Sequence, residues 1–266
     1  MRRNRILLGI GIAAVALLAG CSKTDMVVPQ APTPKLPAET RAQKAQSAAQ
    51  VHTSLAQHYI EIGDLQGALQ KVKLAIDDDP SYVPAQTVIA YIYERIDDTH
   101  NAEIHYRRAV ELAPDKGDTN NNLGVFLCHD GKEQESLAYF AKAVADPFYT
   151  TPDVALTNQG VCQLKLNDRA SAEANFRQAV QRNPNNASAL LQLASVLYLN
   201  NDAFHASAFL QRFDALGQSS PDSLKLGYDI ESRLGDKDAA QSYSKRLISQ
   251  FPESEQAQAL NQNVRP

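Results

Sequence analysis

The 266-residue chain has no tryptophan, two methionines and three cysteines, and no two cysteines stand in the C-x-x-C spacing of a redox-catalytic pair. Its six histidines, His52, His58, His100, His105, His129 and His205, are scattered without a metal-ligand spacing. There is no HExxH, no GxSxG and no glycine-rich phosphate loop. The acidic run Asp77-Asp78-Asp79 stands before Pro80, where a solvated helix end is the simple reading. Nothing marks a catalytic residue, a metal site or a cofactor, and the expectation is a protein that is not an enzyme. Basic clusters are also missing from the body of the chain, which argues against nucleic acid as a partner.

What is present starts at the first residue. Arg2, Arg3 and Arg5 precede an apolar run over residues 6–19, the pattern of an export signal. Those 14 residues would rise only about 21 Å as a helix, too short for a bilayer core of about 30 Å. The run ends Leu18-Ala19-Gly20-Cys21, which resembles the lipobox of bacterial lipoproteins. That resemblance implies cleavage after residue 20 and acylation of Cys21, with Ser22 directing the product to the periplasmic leaflet of the outer membrane. Several acyl chains give stable anchoring where one would be marginal. Without residues 1–20, 23 basic side chains face 30 acidic ones, a net charge of −7. Pro29, Pro32, Pro34 and Pro37 then make residues 21–48 read as an anchor followed by an extended linker, rising about 3 Å per residue.

The remainder repeats itself every 34 residues from Ala49. Position 8 holds Ala56, Ala90, Gly124, Gly160 and Ala194, and position 20 holds Ala68, Ala102, Ser136, Ala172, Ala206 and Ala240. Position 24 holds Val72, Tyr106, Phe140, Phe176 and Leu210 but Ser244 in the last repeat, where Tyr228 also displaces the small residue of position 8. Small residues at 8 and 20 let two helices approach, and the side chain at 24 fills the space beside them. Gly63, Gly131, Asn167, Asn201 and Gly235 suit the left-handed end of a first helix, and Asp64, Asp168, Asp202 and Asp236 can cap the second. Pro80, Pro114, Pro184 and Pro252 stop the second helices, with Pro147 one place early in the third repeat. This is the tetratricopeptide pattern: an all-α, right-handed superhelix of six hairpins over 49–82, 83–116, 117–150, 153–186, 187–220 and 221–254. A two-residue insertion lies near Thr151-Pro152, and residues 255–266 read as a tail.

Cys128 and Cys162 occupy positions 12 and 10 of successive first helices, leaning towards each other. Either they form a disulfide, permitted in an oxidising compartment, or they are two buried thiols acting as small apolar groups. Asn122 and Asn158 share position 6 on the expected concave wall, with Ile60, Tyr91, Val125, Val161 and Tyr198 lining the same groove. The two amides either hold a partner's main chain or bond to water and a neighbouring helix. Thr53 and Gln57 stand where a chaperone-type carboxylate clamp would need cations, so that mode of tail recognition is excluded.

The stretches NNLGVFLCHDGK, DPFYTTPDVALTNQGVCQLK, LLQLASVLYLNNDAFHASAFLQRF and FPESEQ, together with the lipobox and linker, resemble the type IV pilus biogenesis and stability lipoproteins of the PilF/PilW pilotin family. The resemblance implies a lipid-anchored scaffold that helps the secretin subunit reach the outer membrane and multimerise, with other pilus assembly proteins as further candidate partners. Two other roles fit an exported repeat lipoprotein: an adaptor for peptidoglycan enzymes or proteases, and a subunit of the outer-membrane protein insertion machinery.

Overall fold

The computed structural model describes residues 40–264 of the chain, so the export signal, Cys21 and most of the proline-rich linker lie outside the described residues. Among the described residues every regular element is a helix. Six hairpins follow one another. They are α1 (Arg41–Glu61) with α2 (Leu65–Asp78), α3 (Val83–Arg95) with α4 (Thr99–Leu112), and α5 (Gly117–His129) with α6 (Glu133–Ala145). The second three are α7 (Pro152–Lys165) with α8 (Arg169–Arg182), α9 (Ala187–Leu199) with α10 (Ala203–Ala215), and α11 (Pro221–Leu234) with α12 (Lys237–Gln250), and a last helix α13 (Glu255–Val264) closes the chain. Each second helix packs on the first helix of the next hairpin. First helices also meet one another, α1 on α3, α5 on α7, α7 on α9 and α9 on α11. This is the expected superhelix of tetratricopeptide hairpins, and the described residues build one compact unit.

The turns form for local reasons. Gly63, Asp97, Gly131, Asn167, Asn201 and Gly235 all have φ between 60° and 82°, the left-handed conformation that ends each first helix. The next residue then caps the second helix. Asp64, Asp98, Asp168, Asp202 and Asp236 each accept a backbone N–H three residues on, at 2.8–3.2 Å, whereas Lys132 provides no side-chain cap for α6. Pro80, Pro114, Pro184 and Pro252 stand two residues beyond their helices, and so does Pro147. The third hairpin's proline looks early only because α6 ends a residue sooner in the repeat.

Packing explains the small residues. A Cβ added to Gly124 would lie 2.8 Å from the Phe140 ring, and one added to Gly160 would lie 2.5 Å from Phe176. The sixth hairpin keeps the same device. Gly227 faces Tyr243, where a Cβ would meet the ring at 2.5 Å, so both partners have moved one place and the departure at Tyr228 and Ser244 is a shift of register.

Both outer boundaries differ from expectation. α1 starts at Arg41, eight residues inside the span read as linker, fixed by a capping box in which Thr40 and Gln43 bond reciprocally at 3.2 and 2.8 Å. Proline content masked it, because the prolines end at Pro37. At the other end α13 replaces the expected tail and buries Ala257 and Leu260 against α11 and α12. A single helix has no 34-residue echo, but the last hairpin's apolar face demands a cover.

Of the inserted pair, Thr151 precedes α7 and Pro152 is its first residue. Asp146 accepts from the N–H of Gly117 at 2.8 Å and from that of Phe148 at 2.9 Å, and these bonds hold its carboxyl below the usual carboxylate range. Tyr149 folds over Gly117 and is buried.

Candidate functional site

Three helices of the first half bound a groove. Gln57, Ile60 and Glu61 come from α1, Thr87, Val88 and Tyr91 from α3, and Asn122 from α5, with Tyr106 of α4 at its floor. An adjoining cavity shares Gln57, Thr87, Val88 and Asn122 and continues past Val83 and Pro84 to Ala113, Lys116 and Thr119. The two make one trough along the first three hairpins. Its apolar sides are Ile60, Val83, Pro84, Val88 and Tyr91.

The polar groups of the trough divide into committed and uncommitted ones. Tyr106 donates to Glu94 at 2.9 Å, and burial, reinforced by that carboxylate, pushes its phenol far above the usual range. Tyr91 accepts from the Arg95 guanidinium at 2.7 Å, and Thr87 donates to the carbonyl of Val83 at 3.3 Å. Gln57 and Asn122 make no side-chain hydrogen bond among the described residues, although Asn122 is half-buried. A primary amide can donate and accept at once, which matches the main chain of an extended segment.

Of the seven groove residues read from the sequence, Ile60, Tyr91 and Asn122 therefore meet in this trough. The other four lie in the second half or at its border. Val125 is half-buried against Cys128, Phe140 and Cys162, while Val161 and Tyr198 pack on the large core of the C-terminal repeats. Asn158 donates to Asn121 Oδ1 at 3.1 Å, bonding to a neighbouring helix where Asn122 does not. The Tyr198 ring is covered by the Arg233 guanidinium, 4.1 Å from its centroid. Gln57, Thr87, Val88 and Tyr106 escaped the sequence reading. In the repeat pattern Gln57 marks only an absent cation and Tyr106 only the ring that fills a hairpin.

Cys128 and Cys162 are joined in a disulfide between α5 and α7, with Cα atoms 5.9 Å apart. Lys165 donates to the carbonyl of Cys128 at 2.8 Å, and Phe140 packs beside the bridge. Among the described residues no group of three His, Cys, Asp or Glu side chains is placed to hold a metal ion. No described helix is long and apolar enough to cross a membrane.

These hairpins and their trough define a class, the tetratricopeptide-repeat proteins, and family models described as tetratricopeptide repeat match residues 83–116, 158–221 and 223–254. A crystal structure of PilW, a widely conserved type IV pilus biogenesis factor, superposes with a TM-score of 0.73 and 32% identity, covering 80% of this chain and 97% of that one. The type IV pilus assembly protein PilF of Pseudomonas aeruginosa is 26% identical over 196 residues, 74% of this chain and 78% of PilF. The solved PilF structure has the same fold, with a TM-score of 0.76 at 24% identity over 83% of this chain and 99% of that one. The chain belongs to the PilF/PilW family of type IV pilus biogenesis proteins.

Proposed function

We propose that this chain is an outer-membrane, lipid-anchored pilotin: a scaffold without catalysis that takes a segment of an unassembled secretin subunit in the trough of repeats 1–3. The observation that carries the reading is the pair of unused amides, Gln57 and Asn122, on the α1 and α5 sides of a trough with apolar walls. An extended segment would bury apolar side chains against Ile60, Val88 and Tyr91 while its main chain bonds both amides. Family membership supplies the setting, type IV pilus biogenesis, and the lipobox at residues 18–21 supplies the route to the bilayer. Holding subunits at one membrane raises their effective concentration and favours ring assembly by mass action.

Two changes test separate parts. Gln57→Ala with Asn122→Ala should weaken capture of the purified secretin subunit by tenfold or more, about 1.4 kcal/mol, in a titration. Unchanged affinity removes the trough from the mechanism. Cys21→Ala should move secretin multimers away from the outer membrane in fractionated cells, and unaltered outer-membrane rings would refute the carrier role.

A further inference from the structure

The stack has a bare front. In every later hairpin, position 3 of the first helix is buried against the preceding repeat: Ala85, Thr119, Ala155, Ala189 and Ser223. Position 7 follows, with Ile89, Leu123 and Leu193 at 0–2% exposure. In α1 these two positions are Val51 and Leu55, and they are 58% and 41% exposed. One turn later position 10 carries Ile92, Phe126, Cys162, Val196 and Ile230, all buried, but in α1 it carries the exposed His58. So apolar side chains stand on this face at Val51 and Leu55 and again at Ile62, which is 62% exposed, with the polar His58 between them.

We propose that this face of α1 docks an amphipathic helix of a partner protein, which adds to the stack as the second helix of a preceding repeat would. The argument is continuity with an interface the molecule builds five times over. Where α3 presents Ala85 and Ile89, its cover includes Leu69, Val72 and Ile76 of α2, an i, i+3, i+7 stripe. A helix bearing that stripe fits Val51 and Leu55 by the same packing. Gln57 and Ile60 of the trough lie on another side of α1, so a helix here and an extended segment there can be held at once. The inference does not rest on what fills the trough.

The probe is a stapled, uncharged 14-residue helix with leucine at i, i+3 and i+7, read by fluorescence anisotropy against the chain from Ser22 onward. A control peptide of the same composition carries its leucines at alternate positions. Saturable binding of the helix is expected, with the control weaker by tenfold or more. Val51→Asp and Leu55→Asp, both at exposed positions, should each weaken the helix about tenfold while circular dichroism and the melting temperature stay as in the parent. Gln57→Ala with Asn122→Ala should leave helix binding intact, and this separates the two surfaces. Equal binding of both peptides, or indifference to Val51→Asp and Leu55→Asp, overturns the proposal. So does binding that appears only when the chain is started at Glu39, because residues 22–38 would then be the cover. A dimer in sedimentation that Leu55→Asp dissolves would assign the face to a second copy and overturn it equally.

Discussion

Repeats 4–6 share one apolar core running from Leu156 to Leu260, whereas repeats 1–3 divide theirs among separate clusters. The difference follows from composition. The fifth repeat's first helix, ALLQLASVLYL within Ala187–Leu199, is apolar nearly all round and packs on both neighbours. The corresponding α5, GDTNNNLGVFLCH, spends three consecutive positions on Asn120, Asn121 and Asn122. These polar side chains interrupt the core: Asn120 donates to the carbonyls of Pro114 and Lys116, Asn121 accepts from Asn158, and Asn122 is left without a side-chain bond among the described residues. Where the two halves meet, Ser136, Asn121 and Asn158 stand beside two small apolar clusters, and the Cys128–Cys162 bond joins α5 to α7 there.

That contrast can be broken most directly by truncating one equivalent side chain in each half. Leu193→Ala and Ile89→Ala should each cost about 2–5 kcal/mol. By hydrogen exchange, Leu193→Ala should lower protection throughout α7–α12. Ile89→Ala should lower it in α1–α4 and leave α9–α12 nearly untouched. Equal loss in both halves from Ile89→Ala would mean that the cores are coupled after all. Opening the bridge comes next. Cys128→Ser with Cys162→Ser removes a cross-link spanning 34 residues, worth about 3–4 kcal/mol in the chain-entropy model. Denaturant unfolding should then resolve into two transitions, and the bridged chain should give one.

Gly160→Ala sharpens the comparison on a smaller scale. A methyl group 2.5 Å from the Phe176 ring forces repacking at about 1–3 kcal/mol, yet repeat 5 already holds Ala194 at the same position opposite Leu210. Pairing Gly160→Ala with Phe176→Leu should recover part of the loss in thermal melts. The smallest effect is acid sensitivity. The carboxyls of Asp98 and Asp168 sit below the ordinary aspartate range because they accept from Asn101 and Ser171, side chain and backbone alike. Asp202 does so through the backbone N–H of His205 first. With folded values below the unfolded one, these caps contribute fully above about pH 4 and are lost as pH falls through the folded values. Melting followed from pH 6 to pH 2.5 should show α8 and α10 fraying before α6, whose N-cap position is held by Lys132 and so has no capping carboxylate to lose.

Hairpins were legible because their determinants are local. A left-handed residue, an aspartate cap, a small residue facing a ring and a terminal proline all fall within one repeat. The slip to Gly227 and Tyr243 was hidden because both members moved together, leaving each fixed position looking wrong while the contact persisted. The site was harder to read. Asn122 and Asn158 are equivalent in sequence, and only Asn121, 37 residues from Asn158, decides that one amide is spent and the other is not. Gln57 belongs to the trough through helices 30 and 65 residues away in sequence, which no pattern within a repeat records.

The two ends of the stack are unlike, and this sets how copies of the chain can meet. A solenoid whose last face matched its first could join head to tail without limit, the route by which a non-closing contact produces fibres. Here α13 lies across the rear, with Ala257 and Leu260 turned inward, so the exposed front of α1 finds no matching surface on a sister molecule's rear. A stack with unlike ends therefore lacks the head-to-tail contact that would let copies of the chain add without limit.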